Sequence, residues 1–272
     1  MAIKNILLHI DRDDRNGARS DLAIGLAREH EAHLVGLFAY AGPAMTYAYG
    51  EAYVAQEIVR RHEQEAREAA AALRAEFERR AENAALSHEW RMEEEKGHTT
   101  LAVQARYADL VVVGQTDPDT GGRAYNLAEE VMMASGTPTL AVPYAGAFES
   151  VGKRVMVAWN GSRESSRAVR DALPLLEAAD QVIVYSVNPD HDHIPGAEIA
   201  THLARHGINT DAKHTVASGI DIGDAILGAV SDNAVDLLVM GAYGHTRFRE
   251  FVLGGATRHI LHHMTVPTLL SH

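Results

Sequence analysis

The chain has 272 residues, 46% of them hydrophobic and 23% charged, the balance of a soluble globular protein long enough for two ordinary domains. Its formal net charge of −12 argues against a nucleic-acid backbone or an anionic membrane as the main partner, and no apolar stretch approaches the roughly 18–20 residues that span a bilayer. The absence of cysteine excludes disulfides, thiolate zinc sites and cysteine nucleophiles.

In chain order, Lys4-Asn-Ile-Leu-Leu-His-Ile-Asp11 reads as an apolar strand that ends on an acid. It begins too near Met1 to leave room for a secretory leader, so the cytoplasm is the expected location. A helix over 17–31 follows, then a strand at 33–39. The Ala/Glu/Arg-rich stretch 51–85 is built from strong helix formers, its charges forming a solvated face. Helices at 97–107 and 124–135 flank the apolar run 110–113, and Gly136-Thr-Pro-Thr-Leu-Ala-Val-Pro143 is a further strand. The same series then recurs. Lys153-Arg-Val-Met-Val-Ala-Trp-Asn160 echoes the first strand, Gln181-Val-Ile-Val-Tyr-Ser-Val187 the second, Val235-Asp-Leu-Leu-Val-Met-Gly241 the third, and Met264-Thr-Val-Pro-Thr-Leu-Leu270 the last. Helices are expected between them at 163–178, 196–206, 221–233 and 254–264.

Four landmarks in one order indicate a tandem duplication. Short β-branched strands alternating with amphipathic helices predict an α/β fold of two parallel-sheet domains, over residues 1–146 and 151–272. Charge divides unevenly between them. Residues 1–150 hold 15 basic against 24 acidic groups, a net of −9, and residues 151–272 hold 10 against 13, a net of −3. The short linker near 144–152 implies that the halves pack closely.

The strongest functional signal is Gly-x2-Gly-x9-Gly at Gly241, Gly244 and Gly254, with Gly255 opening a helix. Glycines after a strand admit phosphate oxygens close to the backbone, and the free N–H groups of a helix start point towards them. The spacing is neither that of a P-loop nor that of a dinucleotide turn.

With these motifs the chain resembles the universal stress protein family in its tandem two-domain form, most strongly over residues 153–270. The resemblance implies a Rossmann-like, five-stranded parallel sheet in each half and, in many members, ATP at the strand ends. Carried over to this chain, Ala158 and Asn160 would border adenine and ribose, and Val187 would meet the base through its backbone. Met240 and Gly241 would face the ribose and the start of the phosphate chain. Gly244, Gly254, Gly255 and Ala256 would hold phosphates, with Mg²⁺ accompanying ATP. Two positions depart from the family pattern: Asn160 replaces the usual Asp, and Gly255 the usual Ser or Thr, a hydroxyl that Thr257 would partly replace. The first half keeps Asp11 but continues after Gly114 with Gln-Thr-Asp-Pro-Asp-Thr-Gly-Gly, where Asp117 and Asp119 would repel phosphate; it reads as a degenerate domain.

Other residues carry weaker signals. His191 and His193 precede His202 and His206, an i, i+4 pair on a helix, and together they suggest a zinc site against the blander reading of a polar loop. Arg247 and Arg249 flank the glycine loop, Tyr243 would cover the ribose or pack on the other domain, and Ser162 would cap a helix. The sum is a cytoplasmic regulator or sensor of stress that binds ATP with little or no hydrolysis and acts on unidentified protein partners. The rivals are a slow ATP hydrolase or other nucleotide-cleaving enzyme, and a metal- or other small-ligand-binding protein that has lost ATP. The halves should form a pseudo-dimer within the chain; a homodimer of whole chains is left open.

Overall fold

The computed structural model describes residues 2–41, 52–95, 100–116, 127–148, 150–189, 196–243 and 255–272. The first half runs β1 (Asn5–Ile10), α1 (Asn16–Glu29), β2 (His33–Ala41), α2 (Ala52–Asn83), β3 (His88–Glu95), α3 (Thr100–Ala105), β4 (Leu110–Gly114), α4 (Leu127–Ser135) and β5 (Thr139–Val142). The second repeats it: β6 (Arg154–Ala158), α5 (Arg163–Glu177), β7 (Gln181–Val187), α6 (Ala197–Ala204), β8 (Thr210–Thr215), α7 (Ile222–Asp232), β9 (Leu237–Gly241), α8 (Gly255–His263) and β10 (Thr268–Ser271).

The strands form one sheet in the order β3-β2-β1-β4-β5-β10-β9-β6-β7-β8. Within each half the pairing is parallel and the order is the same. The halves join where equivalent strands β5 and β10 meet antiparallel, Leu269 opposite Leu140. A two-fold relation between the halves requires that antiparallel join. The sheet is therefore continuous, not merely two closely packed domains.

Every strand near the middle is buried on both faces, which is why it reads as an unbroken apolar run. Ile6, Leu8, Ile10, Val155 and Val157 face one core with α1 and α5. Leu7, Val111, Val113, Met156 and Leu238 face the other, with α3, α4, α7 and α8. Both cores cross the β5–β10 join, so the halves share their packing.

The outermost strands depart from the expected pattern. β3 is His-Glu-Trp-Arg-Met-Glu-Glu-Glu, and β8 is Thr-Asp-Ala-Lys-His-Thr with its four central residues exposed. Charged edges hinder pairing with another sheet.

Candidate functional site

In each half the chain enters the sheet in its centre, moves outward through two strands, and then crosses back to the other side. The reversal leaves a crevice at the carboxyl ends of β6 and β9, the place where α/β sheets accept ligands. Ala158 and Met240 pair across this crevice, and Ala158 also pairs with Tyr185 of β7. Val187 closes β7, half-buried and paired with Thr215. Met240 is buried in the core with Ile226 and Ile260, so it offers the crevice main chain rather than its side chain.

Two residues past β6, Asn160 makes a tight turn: Ser162 N–H donates to its Oδ1 at 3.1 Å. Ser162 then caps α5, its Oγ accepting from Ser165 N–H at 3.2 Å, as the sequence predicts. The helix start lies hard against β9. A Cβ built on Gly241 would collide with main-chain atoms of Glu164 and Ser165. Gly241 thus has a packing reason to be glycine, independent of any phosphate. Glu164 is buried there, its carboxylate paired with Arg163 at 3.0 Å. Burial pushes this carboxyl up, but hydrogen bonds from its own backbone N–H, Arg163 and Ser162, with the Arg163 charge, hold it below the usual range.

Across the crevice α8 starts at Gly255, which is exposed and has open space around its Cβ position. Ala256 is half-buried and Thr257 buried in the same turn. Gly244 and Gly254, with Arg247 and Arg249, lie outside the described residues. Tyr243, which ends the described stretch after β9, takes a left-handed conformation with φ of 58°. Its hydroxyl is buried without a hydrogen-bond partner among the described residues. Burial, and after it Glu129 of the first half, raises the phenol's pKa, while Arg258 opposes. Of the two roles the sequence allows Tyr243, the side chain sits against the other half.

The corresponding crevice of the first half is built alike and then filled. Asp11 makes the same turn as Asn160, its Oδ1 accepting from Asp13 N–H at 3.1 Å. Arg19 of α1, only 2% exposed, then reaches over the strand ends. It donates to His9 O at 3.0 Å, Asp11 Oδ1 at 2.7 Å and Asn16 Oδ1 at 3.2 Å. Its guanidinium occupies the space a Cβ on Gly114 would need, and the gap between Asp13, Arg19, Gly114, Gln115 and Tyr144 has no room for a water molecule. Sequence reasoning located the loss of this site in Asp117 and Asp119, which are outside the described residues. Arg19 is the plug it missed. Inside a helical pattern an arginine reads as a solvated residue, and only the glycine at 114 hinted at an intrusion.

Gln115 links the halves. Its Nε2 donates to Leu261 O at 2.8 Å and His262 O at 3.1 Å, the last carbonyls of α8, while its Oε1 accepts from Tyr144 N–H at 3.1 Å. Helix α8 is therefore held at its C-terminal end by the first half.

His202 and His206 lie together, ring centroids 5.0 Å apart, and His206 Nδ1 is 3.9 Å from Glu177. His191 and His193 lie outside the described residues, and no group of three metal-ligating side chains forms among those described. A cleft of about 580 Å³ opens at the opposite end of the second-half strands, lined by Ser150, Lys153, Asp211 and Asp236 among others. Asp236 spends its oxygens there on Ser150, Gly152, Lys153 and Arg154, which fixes the strand starts.

Comparison with known proteins agrees with this architecture. Residues 152–272 match the model of the Universal stress protein family. The universal stress protein Slr1230 of Synechocystis sp. is 27% identical over 169 residues, 59% of this chain and 57% of that protein, so the match spans a little over half of the relative's length. A solved universal stress protein from Archaeoglobus fulgidus DSM 4304 superposes with a TM-score of 0.75 at 15% identity, covering 98% of this chain and 95% of its own. A functionally unknown protein from Pseudomonas aeruginosa PAO1 gives 0.59 at 14% identity, with 99% and 92% covered. These two likenesses establish the fold over the full length. No described helix is long and apolar enough to cross a membrane. Over residues 152–272 the chain is similar to the universal stress protein family.

Proposed function

We propose that residues 151–272 form a nucleotide-binding domain for ATP, and that the chain is a cytoplasmic stress-response regulator or sensor rather than an efficient hydrolase. The observation that carries this reading is the reversal of strand order between β6 and β9, bordered by the starts of α5 and α8, beside the same reversal in the first half, where Arg19 fills the strand ends. Helix starts supply unpaired N–H groups and the positive end of a dipole, which suits phosphate without a lysine. Ala158, Asn160, Val187 and the main chain of Met240 and Gly241 would take the nucleoside. The turn Gly255, Ala256 and Thr257 would take phosphate. Mg²⁺ would arrive on the phosphate oxygens, since it usually keeps its waters and needs few protein ligands. Slow turnover fits the acid at hand among the described residues: Glu164 is buried and tied to Arg163, which leaves it poorly placed to activate water. The signal to protein partners would pass through Tyr243 and Gln115, which touch both halves.

Calorimetric titration of the full chain with ATP and Mg²⁺ tests the reading, alongside two variants at the open position 255. Gly255→Ser restores a hydroxyl donor and should tighten binding about fivefold, from about 1 kcal/mol of net hydrogen bonding. Gly255→Asp sets a carboxylate against phosphate and should weaken it strongly. Both side chains fit without collision, so identical affinities in all three proteins would remove the phosphate from the start of α8.

A further inference from the structure

The sheet ends at β8 with main-chain groups unpaired. This strand bonds to β7 alone, and Asp211, Ala212, Lys213 and His214 are all exposed. Thr215 O accepts from Asn188 N–H at 2.9 Å, so the main chain of Thr215 turns inward to β7. Bonding direction alternates along a strand, which turns Asp211 and Lys213 inward as well and leaves the N–H and C=O groups of Thr210, Ala212 and His214 facing outward. Side chains alternate between faces too. Ala212 lies on the α6 face, where a Cβ on Gly196, the residue before that helix, would meet its Cβ at 3.4 Å. Lys213 lies on the α7 face, its Nζ donating to Asn233 Oδ1 at 2.6 Å, and Asp211 shares that face.

These outward groups restrict how an identical strand bonds here. In an antiparallel pair they allow Ala212 to face Ala212 of a second copy, or a slip of two residues either way. One slip sets Asp211 against Asp211 and the other Lys213 against Lys213, and like charges directly opposite are destabilising. Centred on Ala212, the pair sets Asp211 against Lys213 on both sides of the two-fold, at non-hydrogen-bonded positions where facing side chains come closest. Asp211 is available for this, since among the described residues only Gln181 bonds to it, at Oδ2.

The same register joins a knob to a hole. Val216, largely exposed just past β8, falls opposite Ile208 of the other copy. Ile208, with Ala200, Ala204 and Gly207, lines a cleft of about 480 Å³ between α6 and the start of β8. Alternation puts Val216 and Ile208 on the α6 face together with Ala212.

We propose that β8 is the docking strand for a second copy of this chain, paired antiparallel about Ala212 so that one sheet runs through both. The Asp211–Lys213 pairs fix the register, and Val216 of each copy seats in the α6–β8 cleft of the other. Charge on an edge turns away unrelated strands. This edge is complementary to itself, whereas β3, with four acids against one arginine, meets mostly like charge in its own copy.

The test is sedimentation of the full chain over a range of concentrations, with charge exchanged across the pair. The wild type should associate to a dimer. Asp211→Lys and Lys213→Asp each set like charges opposite and should weaken it by about tenfold or more. An equimolar mixture of the two variants puts opposite charges at both positions and should dimerise again. Amide exchange in the wild type needs no substitution: the N–H groups of Ala212 and His214 should gain protection as concentration rises, while those of Asp211 and Lys213, already bonded to β7, should not. A wild type that stays monomeric overturns the proposal. So does a dimer that survives either single substitution, that mixing fails to restore, or that leaves the Ala212 and His214 amides unprotected.

Discussion

Replacing Arg19 with alanine measures what the plug in the first half contributes. The side chain is 2% exposed and makes three hydrogen bonds, the strongest to Asp11 at 2.7 Å. Burial by itself pushes the Asp11 carboxyl up; the Arg19 charge, with His9 and hydrogen bonds from Arg19 and Asp13, brings it below the usual range. Removing one partner of a buried pair typically costs about 3–5 kcal/mol, because the other charge is left without compensation. Asp11 keeps 34% of its side chain exposed, so water relieves part of the penalty and the lower end applies. We expect a loss of about 3 kcal/mol at pH 7, which for a chain of this size lowers the melting midpoint by roughly 6–12 °C. Arg19→Met separates charge from volume, since it refills most of the space over Gly114 and leaves Asp11 equally unpaired. Urea melts of both variants should then show similar losses. The pH dependence checks the cause. Without Arg19 the folded Asp11 binds its proton more readily than the unfolded chain does, so lowering the pH from 7 towards 4 should narrow the gap to wild type. A loss below about 1 kcal/mol in both variants, or a gap constant with pH, would refute the claim that an ion pair closes this crevice.

Three further outcomes follow from named contacts. Burial holds the pKa of His9 down to about 4 from 6.5. The unfolded chain therefore binds a proton that the folded chain refuses between those values, and stability is full above about pH 6.5 and drains as pH falls towards 4. At 1.36 kcal/mol per unit the effect reaches roughly 3 kcal/mol, and urea melts of His9→Phe should show a flatter slope in that window; an unchanged slope rejects the assignment. Gly241→Ala sets a methyl against the main chain of Glu164 and Ser165, which cannot swing aside as a side chain would. It should cost on the order of 1–3 kcal/mol, whereas Gly255→Ala, with open space, should cost under about 0.5 kcal/mol, and equal losses in thermal melts would contradict the geometry. Gln115→Ala leaves the last carbonyls of α8 and the Tyr144 N–H without their partner. A loss of about 1–3 kcal/mol and faster amide exchange in both α8 and the turn after β5 should appear together, and unaltered exchange in α8 would mean that the halves are not coupled there.

The helices were legible from strong helix formers and, in most of them, apolar positions recurring at helical spacing, and all eight fall within about three residues of their expected bounds. The four inner strands of each half were legible as apolar runs. β3 and β8 were not, because each lies at an outer edge where solvent, not a neighbouring strand, meets one side. There Glu93, Glu94 and Lys213 replace the β-branched residues that mark a strand. The same logic held an unread clue to the central join. β5 and β10, Thr-Leu-Ala-Val and Thr-Leu-Leu-Ser, would each be the other edge of an isolated half, yet both are uncharged and buried throughout. Strands that lack the charges of an edge call for a partner, and they find it in each other.

The site divides in a similar way. A turn residue after the first strand, Asp11 or Asn160, announces itself by position, and the structure gives both the same bond. What the position presents to a ligand depends on groups remote in sequence. Arg19 lies eight residues on, and it alone converts an acceptor that could serve ribose into half of a buried ion pair. Gly114 permits that intrusion as Gly241 permits the close approach of α5. One missing Cβ thus admits a side chain in the first half and a helix backbone in the second. Arg19 fills the strand ends in one, and no such side chain fills them among the described residues of the other, although the strand order and the turn are the same. Divergence between the halves lies in what fills the strand ends rather than in the sheet, so substitutions at 19 and 160 should alter ligand access while the shared cores stay intact.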